Sequence, residues 1–104
     1  MTRVALYARF STDKQREASI DDQARVCRAR SDREGWIVAV LYSDDGVSGS
    51  TPVAARAGGA ALLADALAGR FEVLILEGLD RLSRDSVEQE QIVRRLEHRG
   101  IRIV

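Results

Sequence analysis

Cysteine is nearly absent: Cys27 is the only one in 104 residues. An internal disulfide and a cysteine-rich metal site are therefore excluded. Cys27 falls in a predicted helix, where it reads as a small core residue. Histidine is equally scarce. The single one, His98, lies late in the last predicted helix beside Arg99, too poorly placed to complete a Ser-His-Asp unit. There is one proline, Pro52, and no repeat or low-complexity tract. No apolar run approaches membrane-spanning length, and the N-terminus lacks the form of a signal peptide, so a soluble cytoplasmic protein with no membrane partner is expected. Net charge is also missing: sixteen basic residues balance sixteen acidic ones, which argues against strong, general affinity for DNA in this piece alone. The glycines form neither a P-loop nor a dinucleotide fingerprint, which leaves a flavodoxin-like nucleotide-binding reading without a motif.

What is present is 45% hydrophobic residues in a length that suits one small domain with a real core. Strand-like and helix-like segments alternate. Strands are predicted at Arg3–Ala8, Trp36–Tyr42, Phe71–Leu76 and Ile101–Val104. A helix is predicted from an N-cap at Ser19 to Glu34, with Ile20, Ala24, Cys27 and Ser31 on its inner face and Gly35 ending it. A second, alanine-rich helix covers Ala60–Leu67. A third covers Ser86–Arg99, with Ser86 as N-cap and Ile92, Val93 and Leu96 inward. Residues Ser43–Gly58 read as one long polar loop, the kind that is usually functional or mobile. The order βαβαβαβ predicts a three-layer αβα fold around a largely parallel sheet of four or five strands. The chain ends just after a strand start, so a piece of a longer protein is expected.

Ligands of such sheets bind outside the carboxyl ends of the strands. Three polar clusters follow the first three strands. Arg9 and Ser11 follow the first; Asp44, Asp45 and a glycine-containing loop follow the second; Asp80, Arg81 and Arg84 follow the third. Parallel strands would bring all three to one edge. Arg81 and Arg84, three apart, share a face if they lie on a helical turn, and paired guanidiniums suit a phosphate. A hydroxyl nucleophile, arginines and a carboxylate at strand ends suggest phosphoryl chemistry without a metal. The same residues alone would also fit a loop hydroxyl and surface ion pairs with Asp80 and Asp85.

Four motifs occur in order: Tyr7-Ala8-Arg9-Phe10-Ser11-Thr12, Ser19-Ile20-Asp21-Asp22-Gln23, Asp45-Gly46-Val47-Ser48-Gly49 and Leu79-Asp80-Arg81-Leu82-Ser83-Arg84. Together they resemble the catalytic domain of the serine recombinases, the resolvase/invertase superfamily, over essentially all 104 residues. The spacing from Ser11 to Gln23 is most similar to that of the large serine integrases and transposases. The resemblance implies a site-specific DNA recombinase with Ser11 as nucleophile, a 5′-phosphoserine intermediate and no ATP, metal or other cofactor. It implies that Arg9, Arg81 and Arg84 clamp the phosphate, with Arg56 as a fourth contact. In the family that arginine often precedes Pro-Gly and a large residue; here Ala57-Gly58-Gly59 follows. Asp80 would orient Arg81 rather than act as an acid, because adjacent arginines oppose a raised carboxyl pKa. Asp45 would order an arginine, Gln15 and Gln23 would bond phosphate or backbone near Ser11, and Tyr7 would pack beneath the site. Implied partners are duplex DNA and, in the full-length protein, further copies forming dimers and tetramers. The family's dimerisation helix and DNA-binding domains are absent from these 104 residues, so the piece alone is expected to be inactive. The alternative is a catalytically inactive remnant that kept the fold as a phosphate-binding or interaction module.

Overall fold

A computed structural model describes residues 1–11 and 19–104. In chain order the elements are β1 (Arg3–Phe10), α1 (Ile20–Glu34), β2 (Ile37–Asp45), a 3₁₀ turn (Val53–Ala55), α2 (Ala57–Leu67), β3 (Val73–Ile75), a single helical turn α3 (Leu79–Leu82), α4 (Ser86–His98) and β4 (Arg102–Ile103). The sheet has four strands in the order β2-β1-β3-β4, and every pair is parallel. One face packs Val4, Leu6, Cys27, Val73 and Ile75 under α1. The other packs Ala5, Tyr7, Tyr42, Leu62, Leu74, Leu82, Ile92 and Leu96 under α2 and α4. The period of two along β1 sends alternate residues to these two cores, which is why the strand reads as a continuous apolar run.

Four local expectations are corrected. The strand β2 runs on through Asp45, because β1 offers it ladder partners up to Phe10. The helix α2 starts at Ala57, three residues early, so the long loop shrinks to Gly46–Arg56. The cap of α4 is Asp85, not Ser86: its carboxylate accepts from the amides of Val87 at 2.9 Å and Glu88 at 3.4 Å. Finally, α3 stops at Leu82 and Ser83 is extended, so Arg81 and Arg84 do not share a helix face. Expected features also hold. Ser19 caps α1 by accepting from the Asp22 amide, and Gly35 ends that helix at φ +71°.

Early onset of α2 depends on Gly58 and Gly59. A Cβ at Gly59 would lie 2.3 Å from the Val53 carbonyl oxygen, and one at Gly58 2.5 Å from that of Ser43. Alanine gains about 1 kcal/mol of helix propensity over glycine. A clash with fixed backbone costs about 1–3 kcal/mol or more, so the clash wins. Gly59→Ala should lower the urea midpoint of unfolding, whereas propensity alone would raise it.

Cys27 lies buried between α1 and β1–β3. Burial, reinforced by the charge of Glu77, pushes its thiol up to about 11. The unfolded thiol ionises lower, so this contribution to stability is full below pH 9 and is lost as pH rises toward 11. Iodoacetamide at pH 8 should therefore label Cys27 only as fast as the chain opens.

Candidate active site

The last turns of β1 and β2 and the segment after β3 meet at the carboxyl edge of the sheet. The connection from β2 is drawn to β1 by two bonds onto the Phe10 carbonyl, from the amides of Gly46 at 2.6 Å and Val47 at 3.1 Å. Gly46 has φ +75°, a conformation that a side chain would strain. Ser11 sits just past β1 and is only 2% exposed.

Arg9 is the fastening at this edge. It points from β1 toward the α2/α4 layer and is fully buried. Its Nη1 donates to the Val47 carbonyl at 3.0 Å, Nη2 to that of Asp80 at 3.2 Å and Nε to that of Arg81 at 3.1 Å. One side chain thus ties three segments that are far apart in sequence. The Arg9 backbone is held in turn by Gln23 of α1. The Gln23 carboxamide accepts from the Arg9 amide at 3.1 Å and donates to its carbonyl at 2.8 Å, continuing the strand's hydrogen bonding with a side chain. Ser11, two residues on, inherits that fixed position.

Arg56 is the second buried guanidinium, 2% exposed. It donates to the carbonyls of Thr51 at 3.0 Å, Arg81 at 3.2 Å and Gly49 at 3.3 Å, and to the Tyr7 hydroxyl at 3.0 Å. The carbonyl of Arg81 therefore receives both Arg9 and Arg56. The Tyr7 hydroxyl in turn donates to Asp44 Oδ2 at 2.7 Å. Burial first, and the Asp44 bond second, raise the Tyr7 pKa far above its ordinary value, so the phenol stays protonated as a relay between arginine and carboxylate. Asp44 also accepts from the Gly58 amide at 2.8 Å and the Gly59 amide at 3.0 Å, which places a negative charge at the start of α2 where the helix dipole favours it.

Arg81 and Arg84 complete the cationic group. Arg81 is buried and pairs through Nη2 with Glu77 Oε1 at 2.9 Å. Arg84 is half-buried; its amide donates to the Gly49 carbonyl, and its stem fills the space a Cβ at Gly49 would take. Ser83, between them, is locked by the first turn of α4. Its hydroxyl donates to Glu88 at 2.8 Å, and its carbonyl accepts from Gln89 at 3.0 Å.

This geometry brings Arg9, Ser11, Arg56, Tyr7, Gln23 and the Asp80–Arg84 segment to one edge. It separates others. The carboxylate beside Arg81 comes from Glu77, and Asp80 is exposed, taking part through its carbonyl. Asp45 is exposed and, among the described residues, pairs with no arginine; the inward carboxylate is its neighbour Asp44. Gln15 lies outside the described residues. Sequence reasoning placed Asp44 in the second cluster without giving it a role, and gave none to Glu77 or Glu88. For Asp44 a signal existed, since it is two residues past the inward Tyr42 on a strand and so shares its face. Glu77 stands four before Arg81, and Glu88 reaches both Ser83 and the Val53 amide, which no local pattern announces.

The resolvase N-terminal domain family matches residues 4–104. This chain belongs to that family, as a serine recombinase catalytic domain. The N-terminal catalytic domain of TP901-1 integrase resembles this resolvase-family chain with a TM-score of 0.88 at 29% identity, over 98% of this chain and 75% of that one. The C-terminal catalytic domain of ISC1926 TnpA, an IS607-like serine recombinase, is similar with a TM-score of 0.82 at 25% identity, over 98% of this chain and 65% of that one. A serine recombinase from Sulfolobus solfataricus matches with a TM-score of 0.70 at 26% identity, over 100% and 67%. No curated protein matches the chain by sequence. The resolvase-family domain here thus has both an integrase and transposase-type recombinases among its structural neighbours, the subgroup its motif spacing resembles. Among the described residues, no helix is long and apolar enough to cross a membrane.

Proposed function

We propose that Ser11 cleaves and rejoins duplex DNA by attacking a backbone phosphodiester. The serine oxygen bonds to phosphorus and gives up its proton, the bond to the 3′-oxygen breaks, and that oxygen leaves as a hydroxyl by taking up one proton in exchange, through solvent. The 5′-phosphoserine link keeps the energy of the broken bond, so religation is the same step reversed on a new 3′-hydroxyl. Four arginines serve the extra negative charge of the pentacoordinate phosphorus. Arg84, the most exposed, meets the phosphate first; Arg81, Arg9 and Arg56 supply charge from buried places. Tyr7, Asp44, Gln23 and Asp80 hold that arrangement, and Gln15 and Asp45 stay assigned near the serine by resemblance alone. Duplex DNA is the partner, self-association to dimers and tetramers accompanies strand exchange in the whole protein, and the compartment is the cytoplasm.

The observation that carries this reading is the triple carbonyl contact of Arg9, which holds the start of the Ser11 segment against the Asp80–Arg81 turn. Because the chain spans 65% of one similar recombinase and 75% of another, the test joins it to the remaining segments of a serine recombinase of known target. On target duplex the chimaera should form a covalent adduct, with mass spectrometry placing the nucleotide on Ser11. An adduct elsewhere would remove Ser11 as the nucleophile, and no adduct with intact DNA binding would favour a phosphate-binding module.

A further inference from the structure

The contact between Glu77 and Arg81 has no part in the assignments above. The Glu77 side chain is 29% exposed and that of its partner Arg81 only 9%. Glu77 follows β3 on the same side as Val73 and Ile75, the α1 side, and its charge is felt at Cys27 of that helix. The Arg81 side chain is therefore drawn toward the α1 face, while its carbonyl faces the opposite layer and receives Arg9 and Arg56. A hollow of about 250 Å³ lined by Leu76, Glu77, Gly78, Leu79, Ile103 and Val104 lies beside the carboxylate. Glu77 thus borders open space.

We propose that Glu77 is a positioning residue that fixes the Arg81 guanidinium and competes, as a built-in anion, with phosphate for it. This rests on the reading of Arg81 as a phosphate ligand. A carboxylate and a phosphate oxygen use the same guanidinium donors, so a bound phosphate either shares Arg81 with a like charge or displaces Glu77. Removing the charge while keeping the shape should raise the affinity of the site for a small anion and loosen Arg81 before that anion arrives.

The test uses this chain and inorganic phosphate, followed through the arginine side-chain ¹⁵N resonances. Glu77→Gln should bind phosphate about fivefold tighter than the unaltered chain, the effect of deleting one nearby charge at partial exposure. Without phosphate, the Arg81 Nε–H signal should show faster guanidinium rotation; a merely structural role for Glu77 would give that loosening without the tighter phosphate binding. Glu77→Asp, which keeps the charge, should bind phosphate as the unaltered chain does. Unchanged or weaker affinity in Glu77→Gln would overturn the proposal; were that variant to unfold, Glu77→Ser reads the same quantity. If Arg81→Gln binds phosphate as well as the unaltered chain, Arg81 is no phosphate ligand, and the assignment of Arg81 under the proposed function falls together with this inference.

Discussion

Ser11→Ala in the DNA-binding chimaera should hold its target as tightly as the unaltered protein while its adduct rate falls by at least about a thousandfold. The two readouts separate because they rest on different parts of the site. Ground-state attraction for phosphate comes from guanidiniums that the substitution does not touch. Covalent transfer needs an oxygen at residue 11, which closely follows the backbone that the Arg9 and Gln23 contacts hold. Losing one small oxygen from a serine 2% exposed changes little in packing, so the melting temperature serves as a control. A gel shift and a denaturing gel of the same reactions give both numbers. Retained adduct would remove Ser11 from the mechanism, and loss of binding together with adduct would make it a structural hydroxyl.

Asp44→Ala should be the most damaging single change to folding in the site. Its carboxylate accepts three bonds, from Tyr7, Gly58 and Gly59, and it is the buried carboxylate nearest the Arg56 charge through the phenol. Removing one member of a buried charge network costs about 3–5 kcal/mol. For a domain of this size that lowers the melting temperature by about 12 °C or more. Asp44→Asn keeps one acceptor oxygen and should lose about half as much. By contrast Asp45→Ala, at an exposed position one residue away, should fall within about 0.5 kcal/mol of the unaltered chain. Thermal melts of the three variants decide the matter. Equal losses at 44 and 45 would mean that the inward and outward faces of β2 are misassigned.

That pair shows how far a sequence pattern reaches. The parallel sheet was legible because β1 and β3 are apolar runs followed by helix signals, and Ser19 and Gly35 punctuate α1 in the ordinary way. The gathering of clusters at one edge followed from that topology alone. The choice between two adjacent aspartates was legible only if the alternation of Tyr42 is carried past the predicted strand end, and the true end is set by pairing with Phe10, distant in sequence. The same reason hid α2's first turn, whose glycines make sense only against Val53 and Ser43. Arg81 and Arg84 looked like a helical pair because their spacing is three. Hydrogen bonds from Glu88 and Gln89 to Ser83 hold an extended residue between them, and such tertiary bonds leave no periodic trace.

The guanidiniums of Arg9 and Arg56 are anchored mostly on main-chain oxygens: those of Val47, Gly49, Thr51, Asp80 and Arg81. Every residue type carries such an oxygen. Replacing a side chain at 47 or 51 leaves the acceptor in place, whereas replacing either arginine deletes every bond that it makes. The framework of the site is thus specified from one side only. Apart from glycines such as Gly46 and Gly49, its loops are free to vary in composition as long as their path is kept, and a lineage can reshape the surface around the serine without rebuilding what holds it.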